Sequence, residues 1–164
     1  MFVVDTNVLV YAADADSPLH ETCRRRLNEW RSSPDAWYVT WGVLYEFLRV
    51  TTHTRVMRRP WSAPRAWQFV IELLGSRGLD LLLPTPRHAA VLAQIVEEVS
   101  GLSGNLLYDA HTAALMREHG IRRIYTRDTD FHRFRFLEPV DPTDTAAQEP
   151  RRVAARGARS RRPR

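Results

Sequence analysis

The 164-residue chain contains no lysine, so all 24 of its Lys+Arg residues are arginines. That absence removes several chemistries at once. A Walker-type phosphate loop needs its lysine to reach the phosphates, and a Schiff-base enzyme needs an amine nucleophile. A phospho-acceptor receiver domain, whose aspartate also ends a strand, typically relies on a lysine as well. Cysteine is almost as scarce. Cys23 stands alone, which excludes an internal disulfide, makes a reducing cytoplasm the expected compartment, and leaves Cys23 as a small core residue. No apolar run is long enough to span a bilayer. The opening Met1-Phe2-Val3-Val4-Asp5 has no basic stretch before an apolar one, so neither a signal peptide nor a membrane partner is expected. The six histidines show no HExxH spacing, and with one cysteine a zinc site is not expected.

The formal net charge is +5, but it is unevenly placed. Residues 141–164 carry seven arginines against three acids and so account for +4, which leaves residues 1–140 nearly neutral. After Pro139 the apolar pattern stops and the chain becomes rich in Pro, Ala and Arg. The expected organisation is one domain over 1–140 and a basic, disordered tail over 141–164, either inert or a loose electrostatic hold on nucleic acid.

Within the domain, short apolar strands alternate with amphipathic helices. Strands are expected at Phe2–Val4, Trp37–Thr40, Leu79–Leu83 and Ile121–Thr126, with a last short one at Phe134–Leu137. The continuous run Leu79–Leu83 reads as a strand covered on both faces. Helices fall between the strands, including Gly42–Thr52 and one opened by Asp109 and closed by Gly120. This alternation predicts an α/β three-layer sandwich around a mostly parallel sheet.

Five acids stand out. Asp5 ends the first strand, at the sheet edge where open α/β folds bind ligands, although it also suits the N-cap of the next helix. Glu46 shares a helical face with Val43, Phe47 and Val50, where a carboxylate is costly unless paired; Arg49, three residues on, is the available partner. Asp109 is placed as a helix cap, and Asp128 and Asp130 as turn residues after a strand. Each has a structural explanation alone. Converging at one edge, they would repel one another unless a cation lay between them. All-oxygen ligands select Mg²⁺ or Mn²⁺, and carboxylate-held metals suit attack of water on a phosphodiester without a nucleophilic side chain.

Val4-Asp5-Thr6-Asn7-Val8-Leu9, Glu46 with Arg49, Asp109-Ala110 with Ala113-Ala114, and Thr126-Arg127-Asp128-Thr129-Asp130-Phe131 resemble, in order and spacing, the motifs of PIN-domain nucleases. The wording is most similar to VapC-type toxins of toxin–antitoxin pairs, including Gly104-Asn105 before the third acid and His119-Gly120 before the last strand of the pattern. The resemblance runs from Phe2 to Pro139. It implies a PIN fold and an Mg²⁺- or Mn²⁺-dependent endoribonuclease. Asp5, Glu46, Asp109 and Asp128 would be the metal-binding, catalytic acids, Asp130 an accessory ligand, and Asn7 and Thr126 polar groups that orient carboxylates or water. It further implies an RNA substrate, a homodimer and a VapB-type antitoxin.

Independently of that resemblance, Arg55, Arg58 and Arg59 sit in a loop with Trp61, a composition suited to RNA backbone and stacking contacts. Arg24, Arg25 and Arg26 form a second cluster that reads equally well as a solvated face. Two other readings compete with the ribonuclease. A non-catalytic module could use the acidic pocket to accept a partner's arginines, and a flap-type nuclease would act on DNA. A haloacid-dehalogenase-type phosphatase is excluded, since it needs an acid where Asn7 stands.

Overall fold

The computed structural model describes residues 1–144, so the tail expectation for 145–164 lies outside the described residues. Five strands form one all-parallel sheet: β1 (Val3–Val4), β2 (Trp37–Thr40), β3 (Leu79–Leu82), β4 (Arg123–Tyr125) and β5 (Glu138–Val140), in spatial order β3-β2-β1-β4-β5. Helices α1 (Thr6–Ala13), α2 (His20–Ser32), α3 (Trp41–Thr51), α4 (Ala63–Leu74), α5 (His88–Glu98) and α6 (Leu106–Glu118) cross between strands, and a short 3₁₀ helix covers Thr129–Arg133. Among the described residues no helix is long and apolar enough to cross a membrane.

The period-2 alternation of strand side chains builds the three layers. Val3, Leu82 and Ile124 point to one face, into a core completed by Val91, Ile95, Ala113 and Phe131 of α5, α6 and the 3₁₀ turn. Val4, Val39 and Tyr125 point to the other, against Val8, Leu27, Phe47 and Val70 of α1 to α4. Cys23 lies in this second core, where burial pushes its thiol up to about 11, so it is an inert packing residue.

Three expectations change. Along β3, Leu79 and Leu81 pack against one core and Leu82 lies in the other, so both faces are covered only towards the strand's carboxyl end, and Asp80 is exposed. The last strand lies at Glu138–Val140, not Phe134–Leu137. Phe134 and Leu137 are buried beneath the 3₁₀ turn instead, and Pro139 is tolerated because an edge strand has one side without a ladder to feed. Residues Asp141–Asp144, assigned by the sequence to the tail, are held on the domain. Arg26, only 5% exposed, donates to the carbonyls of Pro142 (3.3 Å) and Asp144 (2.9 Å), and Asp141 pairs with Arg127 at 3.0 Å. Arg26 is thus a buried anchor, whereas Arg24 and Arg25 are exposed and pair with Glu21 and Glu29.

A chain cut after Val140 strips Arg26 of both carbonyls, and a chain cut after Asp144 keeps them. Since hydrogen bonds to a charged group contribute about 1.5–3 kcal/mol, the shorter chain is expected to melt about 3–12 °C below the longer one. Equal melting temperatures in thermal denaturation would contradict the anchoring role.

Candidate active site

The strand order fixes where a site can form. From β1 the chain passes through α1 and α2 to β2 on one side, and after β3 it returns through α5 and α6 to β4 on the other side of β1. The carboxyl ends of β1 and β4 therefore flank the switch point of the sheet, the crevice that open α/β folds use for ligands. Asp5 directly follows β1, and Asp128 follows β4 by three residues.

Asp5 is 8% exposed and held by three donors. Oδ1 accepts from Thr6 N (2.7 Å), and Oδ2 accepts from Asn7 Nδ2 and from Thr126 Oγ1, both at 2.6 Å. Thr126 Oγ1 in turn accepts from Asn7 Nδ2 (3.0 Å) and from Asp128 N (2.9 Å), which ties the ends of β1 and β4 together. Asp5 also caps α1, so its capping and site roles coexist. Burial pushes its carboxyl up to about 6; Asp128 and Glu46 add to this, while the Thr126 and Thr6 hydrogen bonds oppose it.

Asp109 is not a cap. Successive tight turns over Ser103–Tyr108, with Gly104 at φ +55°, start α6 at Leu106 and carry Asp109 one turn into the helix. The capping explanation therefore falls for this residue. Burial pushes its carboxyl up to about 7, and Asp5, Asp128, Glu46 and Asp130 all push the same way.

Glu46 also differs from expectation. It stands at the edge of the buried stripe of α3 with its side chain 46% exposed, so no buried charge has to be compensated. It accepts from Arg49 at 3.2 Å and from Thr6 Oγ1 at 3.4 Å. With Asp5, Asp109 and Asp128 it lines a cavity of about 260 Å³.

Asp128 Oδ1 accepts from Asp130 N at 2.8 Å, which turns the chain so that Asp130 faces the cluster. One carboxylate oxygen from each of Asp109, Asp128 and Asp130 lies within 4.8 Å of the others. This donor set fits a hard divalent cation: three acidic oxygens at ligand spacing with no sulfur or imidazole among them, and Asp5 beside them in the same cavity.

The loop residues separate. Arg55 and Arg58 are exposed, and Arg59 is engaged by Asp16 at 2.6 and 3.0 Å. The Trp61 ring is wedged against Phe47 and Phe69 (6.2 and 5.8 Å), with the Arg65 guanidinium over it at 4.3 Å, so packing uses the ring that the sequence offered for stacking. What sequence reasoning passed over are Tyr45 and Tyr108, exposed at the site and each directly preceding one of its acids. An aromatic at a solvent position beside a motif acid was the available signal.

Thr126→Val removes a donor to Asp5 and the acceptor of Asp128 N together. Loss of such an orienting group typically costs about 10–100-fold in activity; that loss is expected in the turnover rate of this site, with Thr126→Ser close to wild type. Equal rates for Val and wild type would dismiss the orienting role.

The PIN domain model matches residues 2–137, and the chain belongs to that family. Within it, the chain is similar to ribonuclease VapC37 of Mycobacterium tuberculosis, 37% identical over 134 residues, which are 82% of this chain and 92% of that protein. It is 36% identical over 144 residues to the VapC ribonuclease Mb2897 of Mycobacterium bovis, covering 88% of this chain and 97% of the relative. Among solved structures, Mycobacterium tuberculosis VapC20, a sarcin–ricin loop cleaving toxin, matches with a TM-score of 0.57 at 23% identity over 80% of this chain and 93% of that one. VapBC2 of Rickettsia felis, bound to a DNA fragment from its promoter, matches at 0.60 and 13% identity over 85% and 96%. At those identities the structural matches establish the fold.

Proposed function

We propose that the chain is an Mg²⁺- or Mn²⁺-dependent endoribonuclease, the toxin of a toxin–antitoxin pair. The observation that carries this reading is the meeting of Asp109, Asp128 and Asp130 at ligand spacing beside Asp5 and Glu46, at the switch point of a parallel sheet. The naming of its relatives as VapC ribonucleases supports RNA as the substrate. A divalent cation bound here supplies an activated water and charge stabilisation at the leaving oxygen. The chain's own residues do the rest. Asp5, Glu46, Asp109 and Asp128, which line one cavity, would hold the cation with Asp130 as an accessory ligand at the Asp109–Asp128 side, and Asn7 and Thr126 fix the Asp5 carboxylate. Arg55 and Arg58 are exposed cations available to RNA phosphates.

A homodimer and a small VapB-type antitoxin complete the proposal; structural neighbours that are VapBC complexes support the latter. The single buried cysteine suits a reducing cytoplasm. The test is incubation of the purified chain with single-stranded RNA and, in parallel, DNA. Cleavage of RNA in Mg²⁺ that stops in EDTA and returns on adding excess Mg²⁺ is expected. RNA cleavage undiminished in EDTA, or cleavage of DNA alone, would overturn the reading.

A further inference from the structure

A second cavity, about 440 Å³, opens between α3 and α6 and shares Asp5, Glu46 and Asp109 with the first. That volume lies within the range of small-molecule sites, about 300–1,000 Å³. Tyr45 of α3 and Tyr108 of α6 line it, together with Arg49, Asn105 and Thr112. The two tyrosines are 67% and 69% exposed, and neither hydroxyl makes a hydrogen bond among the described residues. Tyr45 leans on Trp41 one turn earlier (5.9 Å between ring centres), while Tyr108 packs against no other ring among the described residues. Single exposed aromatics need no explanation. Two of them on facing helices, each adjacent in sequence to an acid of the site and each on the wall of one cavity, are a different matter. Consecutive helical residues point about 100° apart, yet Tyr45 with Glu46 and Tyr108 with Asp109 all reach the lining of this one cavity.

Resting on the ribonuclease reading above, we propose that Tyr45 and Tyr108 are the nucleobase-binding residues of this site: they stack the base of the nucleotide adjoining the cleaved bond. The lining suits one nucleotide. Ring faces accept any base because every base has a π-face. The Asn105 amide can donate to and accept from a base edge, and Arg49, its side chain 63% exposed and paired with Glu46 at 3.2 Å, adds a cation to the lining. Asp5, Glu46 and Asp109 line the same cavity as the two rings, so a phosphodiester held at the acids leaves its neighbouring base within reach of the rings. Tyr108 and Asn105 line both cavities and stand where the chain of a single-stranded substrate passes from one to the other. Such recognition favours unpaired RNA, whose bases can splay onto aromatic side chains.

The experiment measures kcat and KM of the full chain on a single-stranded RNA in saturating Mg²⁺, for wild type and for Ala, Leu and Phe at each tyrosine. Loss of a stacking partner is expected to raise KM about tenfold for Tyr45→Ala and Tyr108→Ala. The Leu variants keep apolar bulk and are expected to behave like Ala, and the Phe variants like wild type. Wild type is expected to bind an RNA with an abasic ribose beside the cleaved bond about tenfold more weakly than the intact strand, and the Ala variants to lose that discrimination. Unchanged KM in the Ala variants with RNA cleavage intact overturns stacking while leaving the ribonuclease standing. A wild-type chain that cleaves no RNA removes both. Phe variants as impaired as Ala would assign the hydroxyl instead of the ring. Unchanged KM with altered self-association in sedimentation would assign this face to a protein partner and overturn the proposal.

Discussion

Asp109→Asn is expected to reduce RNA cleavage by more than about a hundredfold, beyond the ~10–100-fold typical of groups that only orient ligands, while making the cation-free protein more stable. The two effects share one cause. The Asp109 carboxyl is pushed from 3.8 to about 7 by burial and then by four neighbouring acids. At ~1.4 kcal/mol per pKa unit, discounted for partial exposure, its charge costs the cation-free fold on the order of 2 kcal/mol above neutral pH. Asn removes that cost and raises the melting temperature in EDTA by about 4–8 °C. The sign follows from proton binding. A raised carboxyl binds more protons in the folded state, so it costs nothing below about pH 4, and the penalty grows as pH climbs through 7. His111, lowered chiefly by burial, contributes in the opposite sense below its ordinary value of 6.5. It is common to both proteins and cancels in their difference. The gap between variant and wild type in EDTA should therefore widen from pH 4 to pH 8. A variant that cleaves RNA at the wild-type rate removes Asp109 from the site.

Mg²⁺ or Mn²⁺ is expected to stabilise the wild-type chain strongly at pH 8 and little at pH 5. At pH 5, Asp5 and Asp109, pushed up to about 6 and about 7, hold protons that a cation must displace. At pH 8 both are free to neutralise it. A cation at a hundred times its Kd adds about 2.7 kcal/mol, or about 5–11 °C in Tm for a chain of this length. The shift should shrink in Asp128→Asn, which loses a ligand from the trio whose oxygens lie within 4.8 Å. Equal shifts at both pH values, or in both proteins, would mean that the cation binds elsewhere.

Much of this arrangement was legible in the sequence because strand and helix periodicities put the motif acids at the ends of elements. Asp5 after Val3-Val4 and Asp128 after Arg123–Tyr125 lie where a parallel sheet presents its carboxyl edge. What periodicity does not reveal is what covers a face. Glu46 shares a helical side with Val43 and Val50, yet that side is the boundary between core and cavity, so the acid is half exposed. Asp109 read as a cap because Asp favours that role. The tight turns over Ser103–Tyr108 start α6 earlier, a tertiary choice with no local hydrophobic signal. Asp130 reads as an accessory ligand from its motif alone; the hydrogen bond of its amide to Asp128 is a turn that spacing does not show. The last strand was misplaced because its aromatics serve the core from a turn while the ladder passes through Pro139, a residue that normally argues against a strand. Tyr45 and Tyr108 carry no pattern of their own and become visible only when α3 and α6 face each other across one cavity.

The most direct test of the carboxylate centre is equilibrium Mn²⁺ binding to the full chain, followed by the electron paramagnetic resonance of free Mn²⁺ at pH 8. Saturable binding to wild type is predicted, weakened at least about tenfold in Asp109→Asn and in Asp128→Asn. Affinities in those two variants equal to wild type would contradict it.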